Sequence, residues 1–210
     1  MKYYFALILI VNIILFTGAN DIFSQSWEFE KEIDGIKIYT RDELNSSLKS
    51  FKGEVTFKAS LDKVNLLVGD AKNLDWWDKN ISNIKVINFE RNKFIRYYLV
   101  YHSPWPLSNR DLALEAIISI DPETGVRTVD TKPLLNMIPE SKDMIRIKKY
   151  WQKWTVQPLN NGYVHVIMEG FVDPMGNVPA WLYNLTVTET PINVLSALRE
   201  RSLSNKPASQ

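Results

Sequence analysis

The middle of the chain alternates between apolar and polar residues, which is typical of strands with one buried face. The segment 51–59 shows this most clearly, because Phe51, Gly53, Val55 and Phe57 alternate with lysine, glutamate and threonine. Turn-forming residues separate such segments and predict hairpins. The predicted strands lie at 36–41, 51–59, 84–89, 93–101, 110–120, 125–132, 144–156 and 163–172.

Other parts of the chain have the spacing of helices. A short helix is predicted after Ser60, and a second short helix or turn is predicted around Trp76 and Trp77. The longest helix is predicted from Val178 to about Ser202, with apolar residues at 178, 181, 182, 185, 192, 195 and 198. This order of elements predicts an α+β fold in which a curved antiparallel sheet wraps around the C-terminal helix and encloses a volume.

The N-terminal segment predicts a secretory signal peptide. A lysine at position 2 precedes an apolar run, Tyr3–Phe16, of about 14 residues, which is shorter than the roughly 20 that span a bilayer. Small and polar residues follow, so cleavage is expected after Ser26, with Ala19 as the alternative. We therefore expect an exported protein, periplasmic or secreted, in which residues 27–205 form one domain and 206–210 a flexible tail.

Composition limits the function classes. The 210 residues include 25 lysines and arginines against 24 aspartates and glutamates, and the net charge of +1 argues against a nucleic-acid binder. The absence of cysteine excludes disulfides, thiolate catalysis and cysteine metal sites. There are two histidines, His102 and His165, and none of the common catalytic, metal or nucleotide motifs, so no cofactor is expected. A Ser-His-Asp triad assembled in space stays open.

Three motifs carry a family resemblance. They are Ser-Pro-Trp-Pro-Leu-Ser-Asn-Arg-Asp at 103–111, Met-Ile-Arg-Ile-Lys-Lys-Tyr at 144–150 followed by Trp154, and Asp-Pro-Met-Gly-Asn-Val-Pro-Ala-Trp-Leu-Tyr-Asn at 173–184. In order and spacing, over about residues 30–203, they resemble START (steroidogenic acute regulatory protein-related lipid transfer) domains. The first motif is most similar to the phosphatidylcholine-transfer branch.

The resemblance implies a helix-grip fold and a non-enzymatic carrier or sensor of one hydrophobic lipid, held in a cavity under the C-terminal helix. It does not choose the ligand, because the family binds sterols, phospholipids and ceramide. The alternative is an exported cyclase or hydrolase of the helix-grip group that acts on an apolar substrate. A polar pair inside the cavity, formed by a histidine and a carboxylate, would favour the enzyme.

The strand that begins at Arg110 separates into two faces. Arg110, Leu112, Leu114 and Ala116 share the more apolar face, which we expect to line the cavity. A buried guanidinium needs an anionic partner. That partner is either a carboxylate of the domain or the head group of a ligand, because the planar guanidinium suits bidentate contact with phosphate.

Two further segments complete the predicted lipid site. Pro104 and Pro106 make the segment before Arg110 stiff, and Trp105 between them either plugs the core or lies at the cavity rim, where it touches a membrane. In the C-terminal helix, a polar run at 186–190 and Pro191 predict a kink. This part of the helix either opens as a lid or is simply a solvent-exposed stretch. The lipid contacts predicted outside the Arg110 strand are Trp105, Trp181, Leu185, Thr188 and Ile192.

The segment 146–154 mixes basic and aromatic residues, a combination that can bind single-stranded nucleic acid. In a nearly neutral, exported chain, transient contact with an anionic lipid surface explains it better. The partners predicted are thus a lipid ligand and a membrane surface, with no nucleic acid. The chain has no heptad pattern, which favours a monomer.

Overall fold

The computed structural model describes residues 26–72 and 74–204. The predicted signal peptide (all but Ser26) and the predicted tail at 206–210 lie outside the described residues. The strands are β1 (Glu28–Ile33), β2 (Ile36–Asp42), β3 (Lys49–Lys58), β4 (Ile81–Glu90), β5 (Phe94–Tyr101), β6 (Arg110–Ile120), β7 (Arg127–Pro133), β8 (Ile145–Arg146), β9 (Tyr150–Pro158) and β10 (Tyr163–Val172). The α-helices are α1 (Leu61–Gly69), α2 (Ala180–Thr186) and α3 (Glu189–Leu203), and short 3₁₀ turns lie at Leu74–Trp76 and Asn160–Gly162.

The strands form one sheet in the order β1-β2-β3-β10-β9-β7-β6-β5-β4, in which all neighbours are antiparallel. The short strand β8 lies off this path and pairs in parallel with β6. The C-terminal helix packs against β2, β3 and β10. The predicted α+β fold, a curved antiparallel sheet around a C-terminal helix, is confirmed.

Two strands differ from the sequence prediction. The predicted strand 144–156 is divided into β8 and β9, because Arg146 forms an ion pair with Asp111 (2.8 Å between Nη2 and Oδ2) and holds β8 against β6. The edge strand β1 was not predicted. Its residues are mostly exposed, so they lack the alternation that identifies a half-buried strand.

The helix α3 packs closely against the sheet. Leu195 and Leu198 of α3 are 0% exposed. Gly53 of β3 faces them, and a Cβ atom added there would lie 2.7 Å from Leu195 Cδ1 and 2.8 Å from Pro191 Cβ. Only glycine lets α3 approach the strand this closely.

The C-terminal helix is divided at Val187–Thr188 into α2 and α3. Pro191 has no N–H group, so it cannot donate to the carbonyl of Val187, and it lies in the first turn of α3, where proline is tolerated. The two parts differ in packing: α3 buries Val194, Leu195 and Leu198 among others, whereas α2 buries no residue. The kink predicted near Pro191 thus separates a packed segment from a loosely packed one.

Candidate functional site

A cavity of about 510 Å³ lies between the inner face of the sheet and the C-terminal helix. This volume is within the range of roughly 300–1,000 Å³ that is usual for small-molecule sites. Its wall is mainly apolar, and its apolar side chains include Phe51, Leu99, Leu112, Leu114, Met168, Phe171, Val187 and Val194. A space of this kind suits a hydrophobic ligand.

One end of the cavity is polar. Arg110 of β6 lies opposite Tyr101 of β5 in the strand register, and both line the cavity with Asp78 and Ser103. Asp78 and Asn80 lie near the Tyr101 hydroxyl. Burial, followed by the charge of Asp78, raises the pKa of Tyr101, so the phenol is neutral near pH 7.

Arg110 is 5% exposed and is surrounded by uncharged oxygens. Its Nε donates to Pro174 O (3.1 Å), Nη1 donates to Ser103 Oγ (3.0 Å) and Ser108 O (2.7 Å), and Nη2 donates to Met175 O (3.3 Å). The expectation of a carboxylate partner is wrong within the described chain, where Arg110 takes part in no ion pair. Burial, the largest cause, lowers the pKa of Arg110.

These contacts determine how Arg110 can bind a ligand and which loops it connects. Four of its five N–H groups are occupied, which leaves one on Nη2 and does not leave a free pair for bidentate phosphate contact. Its positive charge is also not balanced by a neighbouring carboxylate of the described chain. In addition, the side chain joins the loop that contains Ser103 and Ser108 to the Pro174–Met175 loop that leads to α2.

Of the other residues predicted on β6, Leu112 and Leu114 line this cavity. Ala116, further along the same face, lines a separate void of about 20 Å³ rather than the main cavity. The adjacent residue Asp111 points to the other side and forms the buried pair with Arg146. This pair was not foreseen, because nothing in the local sequence connects positions 111 and 146.

The predicted contacts on the C-terminal helix require correction. Trp181 and Leu185 are 66% and 68% exposed, and Thr188 and Ile192 are partly buried but do not line the cavity. At about 100° per residue these positions lie on the side of the helix opposite its cavity wall. The helix lines the cavity with Leu182, Tyr183, Thr186, Val187, Thr190 and Val194. Several of these are polar. Of the apolar helix positions 181, 182, 185, 192, 195 and 198, only Leu182 lines the cavity, whereas Leu195 and Leu198 are fully buried.

Trp105 is 93% exposed, which excludes the interpretation that it plugs the core. It follows Pro104, which lines the cavity. Leu107 and Leu182 both line the cavity and are 37% and 42% exposed. The cavity therefore approaches the surface between the loop at 104–107 and the start of α2, and Trp105 and Trp181 stand outside this opening.

The side chain of Asn184 connects α2 to the β2–β3 loop and to the first residue of β3. The backbone N–H of Lys49 donates to Asn184 Oδ1 (3.0 Å), and Asn184 Nδ2 donates to Ser47 O (3.0 Å). Tyr183, next in sequence, contributes to the cavity wall, and its burial raises its pKa. Because α2 buries no residue, these two hydrogen bonds add to the partly buried contacts of Tyr183 in holding it in place.

The histidines do not form a catalytic pair in the cavity. His102 Nε2 lies 2.6 Å from Ser82 Oγ and His165 Nδ1 lies 2.9 Å from Thr56 Oγ1, and neither histidine lines the cavity. Within residues 26–72 and 74–204, no group of three or more histidine, aspartate or glutamate side chains is placed to hold a metal ion. In the same residues, no helix has the length and hydropathy needed to cross a bilayer.

Comparison with known proteins agrees with this architecture. An uncharacterized protein of Pseudomonas aeruginosa is 28% identical over 186 residues, which cover 88% of this chain and 91% of that protein. The phosphatidylcholine transfer protein of Rattus norvegicus is 25% identical over 164 residues, 75% of each chain.

Solved structures show the same fold. A STAR-related lipid transfer protein from Xanthomonas axonopodis (fragment 25–204) superposes with a TM-score of 0.76 at 31% identity, over 85% of this chain and 99% of that one. Human StAR-related lipid transfer protein 5 has a TM-score of 0.75 at 13% identity over 95% of both chains. The model of the START domain matches residues 23–207. The chain belongs to the START domain family.

Proposed function

We propose that this protein binds one lipid molecule in the cavity and exchanges it with a membrane without chemical change. The observation that carries the proposal is the cavity itself, about 510 Å³ with a mainly apolar wall and one polar end. The names of the rat and Xanthomonas relatives, which are a phosphatidylcholine transfer protein and a lipid transfer protein, support the same function.

The polar end favours a phospholipid. Arg110 brings a positive charge without a carboxylate partner in the described chain, and one of its N–H groups is free for a phosphate oxygen. Across Tyr101, the carboxylate of Asp78 lines the same end. A head group with a phosphate near Arg110 and a cationic group near Asp78 would complement both charges. The phosphate contact is monodentate, not bidentate.

The opening gives a route for exchange. Trp105, Trp181 and Leu185 expose apolar surface on both sides of it, and tryptophan is favoured at membrane interfaces. We propose that this surface touches the membrane transiently and that α2 moves to let the lipid pass. The protein acts as an exported monomer, and sequencing of the mature N-terminus, expected near Trp27, tests its export.

The enzyme alternative has no observation in its favour, because neither histidine lines the cavity. If the purified protein released a bound molecule in chemically changed form, that result would favour the enzyme alternative.

The experiment is to purify the protein, identify bound lipids by native mass spectrometry, and compare two substitutions on one strand. Leu112→Trp adds bulk inside the cavity, whereas Ile117→Trp adds the same side chain on the opposite face of β6, where Ile117 is 44% exposed. We expect a monomer with one bound phospholipid, which Leu112→Trp removes and Ile117→Trp retains. Equal lipid content in the two variants, both with unchanged thermal melting, would contradict the proposal.

A further inference from the structure

At its closed end, the cavity is separated from a second, much smaller void by a partition of side chains. Leu74, Trp77 and Tyr97 line both spaces, so their side chains form the wall between them. The void behind this wall measures about 20 Å³, close to the space that one water molecule needs. Its remaining wall includes Val68, Ala71, Ala116, Ile118, Val129 and Trp154.

The strand register gives the depth of the partition. Tyr97 is paired with Leu114, and Ile95 with Ala116, along the same pair of strands that carries Tyr101 and Arg110 at the polar end. At about 3.3 Å per residue, Leu114 lies about 13 Å from Arg110 along β6, and Ala116 about 20 Å. An apolar chain that starts at the polar end therefore meets the partition before it reaches Ala116.

The members of the partition are held differently. Tyr97 is 4% exposed and lies on β5, which is paired with both β4 and β6, so it is fixed to the sheet. Trp77 is held by ring contacts with Trp76 (5.8 Å between centroids) and Trp154 (5.4 Å). Its buried indole Nε1 has no hydrogen-bond partner in the described chain. The most weakly held part of the wall is thus also its largest side chain.

We infer that Trp77 sets the maximum length of the apolar chain that the cavity accepts. Because the side chain of Ala116 is small, there is room behind Trp77, and only a variant without the indole can use that room. The inference rests on the proposed function, because it requires that a lipid with an extended chain occupies the cavity. Each methylene that gains burial is worth about fourfold in affinity, so the position of the wall is sufficient to select among chain lengths.

The test uses vesicles that contain an equimolar series of phosphatidylethanolamines with one head group and different acyl-chain lengths. Native mass spectrometry reads the bound species. The unsubstituted protein is expected to bind this series up to a limiting length. Trp77→Ala is expected to shift the distribution to longer chains, by about fourfold for each added methylene that the void accommodates.

Ala116→Val in the Trp77→Ala background is expected to reverse the shift, because it refills the void, and Ala116→Val alone is expected to change nothing. Phe89→Ala removes an exposed aromatic side chain from β4 that does not line the cavity, and it serves as the matched control. If Trp77→Ala does not fold, as judged by thermal melting, Trp77→Leu replaces it.

The outcomes separate the two proposals. Lipid bound to the unsubstituted protein with the same length distribution in the Trp77 variant overturns this inference and leaves the proposed function standing. A shift that Ala116→Val fails to reverse also overturns the inference. Failure of the unsubstituted protein to bind any member of the series overturns the proposed phospholipid ligand.

Discussion

The two parts of the C-terminal helix are adjacent in sequence but differ in what holds them. In α3, Leu195 and Leu198 are fully buried, and Gly53 makes room for the close contact with β3. In α2 no residue is buried, and Asn184 supplies two hydrogen bonds to the β2–β3 loop. One segment therefore anchors the helix to the fold, and the other covers the cavity with little packing of its own.

The difference explains how one helix can be stable and still admit a ligand. Regions that move in binding have few buried apolar contacts and a low free energy of local opening. Under the proposed function, the division at Val187–Thr188 would let α2 move while α3 keeps its contacts with the sheet. A continuous, equally packed helix would have to detach from the core for a lipid to enter.

Truncation of one leucine in each part of the helix should give the largest difference between α3 and α2. Leu195→Ala in α3 should lower the free energy of unfolding by about 2–5 kcal/mol, because it leaves a cavity in the core. Leu185→Ala in α2 removes the same atoms from a side chain that is 68% exposed, and should change stability by no more than about 0.5 kcal/mol. Denaturant unfolding measures both, and equal losses would mean that α2 is packed as firmly as α3.

Arg110 fixes the loop that leads into α2, and its removal should have the next largest effect. Arg110→Met leaves several buried oxygens without a donor and should cost about 1–3 kcal/mol in unfolding free energy. Arg110→Lys keeps the charge but not the planar set of donors. If a phosphate binds here, the lysine variant should retain more phosphatidylethanolamine binding than the methionine variant at similar stability. Equal binding by both variants would argue against a head-group contact.

Asn184→Ala should act on α2 alone. Each lost hydrogen bond is worth about 0.5–1.5 kcal/mol, and the loss should appear as faster hydrogen exchange at 180–186, with little change in α3. Asn193→Ala, at an exposed position of α3, is the matched control. Faster lipid exchange with vesicles should accompany the local opening. Unchanged exchange at 180–186 would show that other contacts hold α2.

The smallest effect near neutral pH concerns three tyrosines that are shielded from water, of which Tyr97 is buried and Tyr150 and Tyr183 are partly buried. Burial raises the pKa values of Tyr97, Tyr150 and Tyr183 above the ordinary value near 10. Their contribution to stability is therefore fully present below about pH 10 and is lost as the pH rises further, because the unfolded chain ionises first. Tyr183 lies on the loosely packed α2, so local opening of α2 should expose its hydroxyl to alkali before those of Tyr97 and Tyr150. After a jump to high pH, tyrosinate absorbance should therefore rise in a phase that Tyr183→Phe removes, and unchanged phases in that variant would contradict the prediction.

The sequence predicted the fold well because alternation and helical spacing report directly on buried faces. It placed Arg110, Leu112 and Leu114 on the correct side of β6, since strand parity needs no knowledge of the partners. It did not predict the positions where an apolar residue is exposed or a polar residue lines the cavity. Apolar spacing correctly predicts the buried positions Leu195 and Leu198, but Trp181 and Leu185 in the same spacing are exposed, and Thr186 and Thr190 line the cavity.

The same limit applies to the charged groups. The expectation that Arg110 needs an anion overlooked backbone carbonyls, whose positions depend on the tertiary path of two loops. Asp111 and Arg146, 35 residues apart, meet only because β8 adds to β6. Local patterns predict which charged residues are buried, but not which distant residues form hydrogen bonds or ion pairs with them.

We propose that α2 must move for a lipid to enter, while α3 stays in place. The chain has no cysteine, so pairs can be introduced and joined by a short reducible thiol cross-linker. Ser47→Cys with Asn184→Cys would tie α2 to the β2–β3 loop, and Asp34→Cys with Arg199→Cys would tie α3 to the β1–β2 turn, where Arg199 Nη1 donates to Asp34 O (2.6 Å). We predict that the first cross-link stops phosphatidylethanolamine uptake until it is reduced and that the second has no effect. Undiminished uptake with α2 tied down would contradict the account.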